Sequence, residues 1–131
     1  MRTHRRPDPL SKLAAAGIAA GRASIGLGIS FATKPALRAL GFSETDASGR
    51  TLARIAGSRD LALAGLTVAS LDDRNALRRV SIAAAATDAG DVVAFGLALA
   101  RREGIDRAAI VGAGSAFASV VLGIWLADRL A

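Results

Sequence analysis

The chain has 131 residues, enough for one domain, and 52% of them are apolar although only 4% are aromatic. Alanine and glycine supply much of that apolar content, which leaves little area for a soluble core, whereas helices in lipid associate through small residues and dispersion. The absence of cysteine excludes disulfides, thiol redox chemistry, iron–sulfur clusters and thiolate zinc sites, and a formal charge of +6 sits in short clusters at the ends of apolar stretches, with no interleaved aromatics to stack on bases. That distribution fits membrane flanks and headgroup contacts, not nucleic acid.

In chain order, residues 1–9 read as a basic tail with two prolines, Pro7 and Pro9, free or lying at an interface. The single histidine, His4, falls there as a solvated side chain, so haem ligation and histidine-built metal sites drop out. Arg5-Arg6 ahead of an apolar run resembles the start of a signal peptide, but Arg22 interrupts the run and no cleavage site follows. Four apolar segments come next, at 10–31, 51–70, 80–100 and 108–127. Each is close to the ~20 residues that cross a hydrocarbon core of about 30 Å.

The expected fold is therefore all-α, a four-transmembrane-helix up-down-up-down bundle over residues 10–131. Lys34-Pro35 closes the first helix, and Pro35–Phe42 reads as a short amphipathic helix lying at the interface between helices 1 and 2. Ser43 with Asp46 resembles a capping box, Asp72 or Asp73 can cap the third segment, Gly104 can close it, and Asp106 can cap the fourth. Basic residues on the two flanks count eight against six, which favours both termini in the cytoplasm of a multi-pass plasma-membrane protein, with Trp125 in the interfacial belt of that side.

The apolar segments hold three arginines and three aspartates: Arg22, Arg54, Arg59, Asp60, Asp88 and Asp91. Each would cost about 2.5–3.5 kcal/mol facing lipid at a helix centre, so they should face one another or a wet cavity. Counted at 1.5 Å per residue, Arg22, Arg59, Asp60, Asp88 and Asp91 fall near one membrane level, with Arg54 nearer the outer face. Helical spacing puts Asp60 on a small-residue face with Ala53, Gly57, Ala64 and Thr67. It puts Asp88 and Asp91 on a stripe with Ala84, Thr87 and Phe95. Gly17, Gly21, Ser24 and Gly28 form a close-packing face with Arg22 on its shoulder, and Gly112, Ser115, Ala116, Ser119 and Gly123 form another.

Two readings of the charges stand side by side: a network that fixes helix register, and a polar pocket that binds or protonates a substrate. Asp88-x-x-Asp91 offers too few ligands for a magnesium diphosphate site, Gly112-x-Gly114 follows no strand, and Ser24, Ser81, Ser115 and Ser119 have no activating base. No metal or cofactor is expected.

Arg54-Ile-Ala-Gly57-Ser-Arg59-Asp60-Leu61-Ala-Leu63, with Thr87-Asp88-Ala-Gly90-Asp91 further on, resembles a family of small bacterial four-helix membrane proteins similar in outline to the DoxX-like group. The resemblance implies the fold, the membrane location and a signature of Arg54, Gly57, Arg59, Asp60, Asp88 and Asp91. Some DoxX-like relatives are linked to quinone or thiol redox systems, and the lack of cysteine speaks against a thiol role here.

The resulting expectation is a structural or binding subunit, with the bilayer, a lipid-soluble small molecule, a membrane protein or a second copy as partner. The alternative is an enzyme or carrier for a quinone or isoprenoid with Asp60, Asp88 or Asp91 as proton donor or acceptor. A soluble alanine-rich bundle is the third reading.

Overall fold

A chain this rich in alanine and leucine, with prolines only near its start and in one connection, is built for helix. The computed structural model describes residues 6–43 and 45–131; Arg2, His4 and Arg5 of the tail lie outside the described residues. Five helices make up the described chain: α1 (Pro9–Phe31), α2 (Thr33–Ala39), α3 (Ala47–Ala69), α4 (Arg74–Ala100) and α5 (Asp106–Arg129).

The helices begin earlier than the apolar runs because polar residues form their first turns. Asp8 caps α1, accepting from the Ser11 N–H at 3.1 Å and its hydroxyl at 2.5 Å, and Pro9 opens the helix where a missing N–H costs nothing. The part of the tail next to α1 is therefore a cap, further held by Arg129, which donates to Asp8 at 3.2 Å. Asp46, not Ser43, caps α3 through the Gly49 N–H, and Asp73 caps α4 through the N–H groups of Asn75 and Ala76. Asp106 is the first helical residue of α5 and not its cap, which is Ile105.

α1 stops at Phe31 and the chain restarts as α2 at Thr33, so the short helix begins two residues before the expected Pro35. Lys34 is helical despite preceding proline, because Pro35 lies in the first turn, where no intrahelical N–H bond is lost. α4 ends through Arg102 and Gly104, both at positive φ (52° and 78°), which turn the chain toward α5.

Packing is uneven. α1 lies along α3, and α4 along α5, whereas the contacts between these two pairs are sparse. Within the first pair the backbones nearly touch: a Cβ on Gly26 would sit 2.7 Å from the Gly57 carbonyl oxygen and 2.8 Å from Leu61 Cγ. Within the second, Gly123 would meet Ala85 Cβ at 3.0 Å and Gly112 is covered by the Phe95 ring. The close-packing face of α1 differs from the spacing expected. Gly17 and Gly21 face open space, and the buried face is Ser11, Ala15, Ala19, Arg22, Gly26 and Ile29, with Arg22 at its centre. Glycine spacing alone does not locate a contact; what settles the face is the partner that α3 presents.

One end of the bundle is closed by a small core of Ala15, Leu77, Leu126 and Leu130, flanked by Ile18 and Leu71. There Lys12 reaches Asp72 at 2.5 Å, and Arg74 donates to the last carbonyl of α5, that of Arg129, and to those of Leu130 and Ala131 just beyond it. At the opposite end Gly41, at φ 101°, lets the α2–α3 connection lie against the start of α5, where a Cβ would meet Ala108 N at 3.1 Å.

The lateral surface is apolar, with Phe31 85% and Leu13 72% exposed. α1, α4 and α5 are long and apolar enough to cross a membrane. The expected second segment is a long helix too, but α3 falls short on composition because Arg50, Arg54, Arg59 and Asp60 crowd it. Three apolar spans, not four, is what helix length and composition support.

Substituting Gly26→Val should destabilise the protein by about 1–3 kcal/mol through overpacking against α3. Gly17→Ala, in open space, should leave the midpoint of a denaturation curve in mixed micelles unchanged or raised. An equal loss from both would show that α1 does not seat on α3 through Gly26.

The Asp8 carboxyl is held down from 3.8 to about 2, chiefly by the Ser11 hydroxyl, then the Ser11 N–H, with Arg129 adding. A folded value below the unfolded one means that the cap's contribution is present above the unfolded value and fades as pH falls through the folded one. Protection of the Ser11 and Lys12 amides, taken relative to the intrinsic exchange rate at each pH, should therefore hold at neutral pH and fall as pH drops from 3.8 toward 2. An Asp8→Ala variant should show little protection at either pH.

Candidate functional site

Between the two helix pairs, where packing is thin, the charged residues meet. Arg22 on α1 points its guanidinium across the gap. One nitrogen donates to Asp60 of α3 at 3.0 Å and the other to Asp88 of α4. Arg59, one residue before Asp60, makes a bidentate pair with Asp91 of α4 at 3.0 and 2.7 Å, and its Nη2 also lies 3.6 Å from Asp60. Two arginines and three aspartates from three helices thus form one chain of charge. The Arg22, Asp60 and Asp88 side chains are 10%, 15% and 6% exposed, so this half of the cluster is shielded on all sides. The Arg59–Asp91 half is about one third exposed and sits nearer the bundle surface.

Local sequence explains how each group arrives. Gly26 and Gly57 let α1 and α3 close up, which sets Arg22 beside Asp60. Asp88 and Asp91 are three apart on α4 and share a face, so one arginine from α1 and one from α3 can each take a carboxylate. The buried residues of α3 are Gly57, Ala64 and Thr67, on the small face expected for it, with Asp60 between them.

Two of the expected residues stand apart. Arg54 does not join the aspartates: its Nε donates to the Thr33 hydroxyl at 3.2 Å, tying α3 to α2. It lies more than one turn from Arg59, so it passes the end of α1 where Thr33 waits and never reaches the aspartates. Thr87 bonds back to the Ala83 carbonyl at 2.9 Å, the usual outlet for a helical threonine, and lines no part of the cluster.

A cavity of about 180 Å³ opens beside the network. Arg22, Arg59, Asp60, Asp88 and Asp91 form its polar wall. Ile25, Ile29, Leu40, Phe42 and Phe95 form the apolar one, and Ser115 and Ser119 of α5 complete it. The volume equals about six waters at ~30 Å³ each. Ser115 and Ser119 belong to the α5 face legible in the sequence. Leu40 and Phe42 carried no such signal, since only the fold swings the end of α2 and its connection over the cluster.

Chemically, this wall offers paired charges and not a free base. Each of the three carboxylates already holds an arginine. Among the described residues no group of three or more histidine, cysteine, aspartate or glutamate side chains is arranged to hold a metal ion. The polar wall can present N–H donors and carboxylate acceptors to a small polar head, with apolar walls for the remainder. No family model, curated protein or solved structure matches this chain.

Replacing Asp88→Leu strands Arg22 in a shielded setting and should cost about 3–5 kcal/mol, the typical penalty for breaking a buried pair. Arg54→Leu, on an exposed residue bonded to one hydroxyl, should cost no more than about 1 kcal/mol. Mixed-micelle unfolding followed by circular dichroism measures both, and similar losses would place Arg54 in the network after all.

Proposed function

We propose that the protein is a four-span integral membrane protein that binds the head of a small lipid-soluble molecule at mid-bilayer. In this reading α3 is the fourth span, and the bundle runs up-down-up-down with both termini on the cytoplasmic face of the plasma membrane. The observation that carries it is the cavity of about 180 Å³ beside five ion-paired side chains. Support for α3 as a span comes from the same place. Arg59 and Asp60 are its most costly residues for a bilayer, and both are paired with groups from other helices.

The cavity suits the ring of a quinone or a similar carbonyl-bearing head, whose oxygens accept hydrogen bonds from guanidinium groups. It is too small for an isoprenoid tail, which would lie outside against the apolar lateral surface. Arginine on every carboxylate favours a binding or structural subunit over an enzyme or carrier that moves a proton through Asp60, Asp88 or Asp91. The likeness to the DoxX-like group agrees with a membrane role and stands with this proposal.

Because the chain has no cysteine, one single-cysteine series tests the whole reading. In sealed vesicles, Asn75→Cys and Ala131→Cys should react with an impermeant maleimide from one side only, and Ser43→Cys from the other. Ser115→Cys should react with permeant N-ethylmaleimide and be protected by duroquinone, a quinone too substituted to add thiols. Labelling of Ser43→Cys and Asn75→Cys from the same side eliminates α3 as a span. Labelling at Ser115→Cys that duroquinone leaves unchanged removes the quinone-type ligand.

A further inference from the structure

The two ends of the bundle handle their basic residues differently. At the end that gathers the start of α1 and the end of α5, several cations are paired, although Arg6 and Arg79 stay exposed without a hydrogen bond or ion pair among the described residues. Lys12 pairs with Asp72 and Arg129 with Asp8, while Arg78 donates to the Ala127 carbonyl in the last turn of α5 and Arg74 to the Leu130 carbonyl just past it. At the other end, Lys34 and Arg38 of α2 make no hydrogen bond or ion pair among the described residues, and neither does Arg107 of α5. Arg50 of α3 uses one nitrogen on the Thr45 carbonyl, at 2.6 Å, and makes no ion pair among the described residues.

These cations converge. Lys34, Arg38 and Arg50 line one cleft of about 230 Å³ together with the hydroxyl-bearing Ser43 and Thr45. Arg38 also lines the neighbouring cleft that contains Arg107. Three like charges around one concavity repel one another unless an anion joins them, and a low-dielectric wall on one side sharpens the field inside. Here Leu37 and Phe42 are that wall. Two guanidinium forks, an ammonium and two hydroxyls are the donor set that phosphate oxygens accept from best. A carboxylate would satisfy one fork and leave the others unmatched.

We propose that the Lys34–Arg38–Arg50 cleft is a binding site for a phosphate group, separate from the cavity at the Arg/Asp network. Its place beside the end of α1 and the start of α3 sets the phosphate at headgroup level, with the exposed apolar flank of Phe31 and Leu52 beside it for acyl chains. A phospholipid headgroup and free phosphate share this chemistry. The site is independent of whether the mid-bilayer cavity holds a ligand.

The test is native mass spectrometry of the full chain in detergent, titrated with dioleoyl phosphatidylglycerol and, as the phosphate-free control, dioleoylglycerol. Phosphatidylglycerol should bind saturably at one site and dioleoylglycerol should not. Arg38→Gln and Lys34→Gln should each weaken that binding about tenfold, the scale of one lost charge-assisted contact. Arg79→Gln, an exposed cation on α4 toward the opposite end, should leave it unchanged.

Sodium phosphate supplies the second arm. If it displaces the lipid with the same sensitivity to Arg38→Gln, the ligand is phosphate in any form; if it does not, the ligand is the headgroup. Circular dichroism of both variants must match the parent, and the two variants must agree. Saturable binding that is equal in the parent, Arg38→Gln and Lys34→Gln overturns the proposal. So does binding of dioleoylglycerol as tight as that of phosphatidylglycerol, or no saturable binding of either phosphate source.

Discussion

A guanidinium shielded inside an apolar bundle must find its counter-charges within the protein, and Arg22 finds two of them on two different helices. That geometry organises the rest. α1 reaches α3 through a close backbone approach at Gly26 and Gly57, and α5 reaches α4 where Gly112 and Gly123 admit the Phe95 ring and Ala85, so dispersion holds each pair. Between the pairs there is little side-chain interdigitation. Across that gap Arg22 and Arg59 of the first pair meet Asp88 and Asp91 of the second, and at one end Ala15 packs against Leu77, Leu126 and Leu130. Coulombic pairing is strong where water is scarce, and it is directional in a way that alanine packing is not.

The cavity lies beside that arrangement. The five charged side chains give it a polar wall, and the small residues Gly112, Ser115, Ala116 and Ser119 of α5 line it as well. The same pairing lines up N–H donors and carboxylate acceptors along one side of the cavity.

The polar ends show a related economy. Where the start of α1 meets the end of α5, Arg74 and Arg129 reach a carbonyl and a carboxylate beside the Leu77, Leu126 and Leu130 core. At the loop end the equivalent cations are left facing a cleft. Asymmetry of this kind does not follow from net charge, since both ends are basic. It comes from which carbonyls and carboxylates each end brings within reach.

Much of this was legible in the residues themselves. Period-3.6 spacing placed Asp60 on the Gly57–Ala64–Thr67 face, and counting the rise along each helix brought Arg22, Asp60, Asp88 and Asp91 to one level, because both depend only on helix geometry. The cost of a lone charge in lipid called for mutual pairing, but the equal count of three arginines and three aspartates did not carry over, since Arg54 stands apart and two arginines face three aspartates. What only the tertiary structure decided was the choice of partners: Arg54 turned to Thr33, α1 buried Gly26 and left Gly17 and Gly21 outside, and Leu40 and Phe42 came to roof the cavity. A helix fixes the angles between its own side chains but not its rotation against a neighbour. Rotation is settled only when two whole surfaces meet, and in this chain the deepest of those meetings is Arg22 between two aspartates.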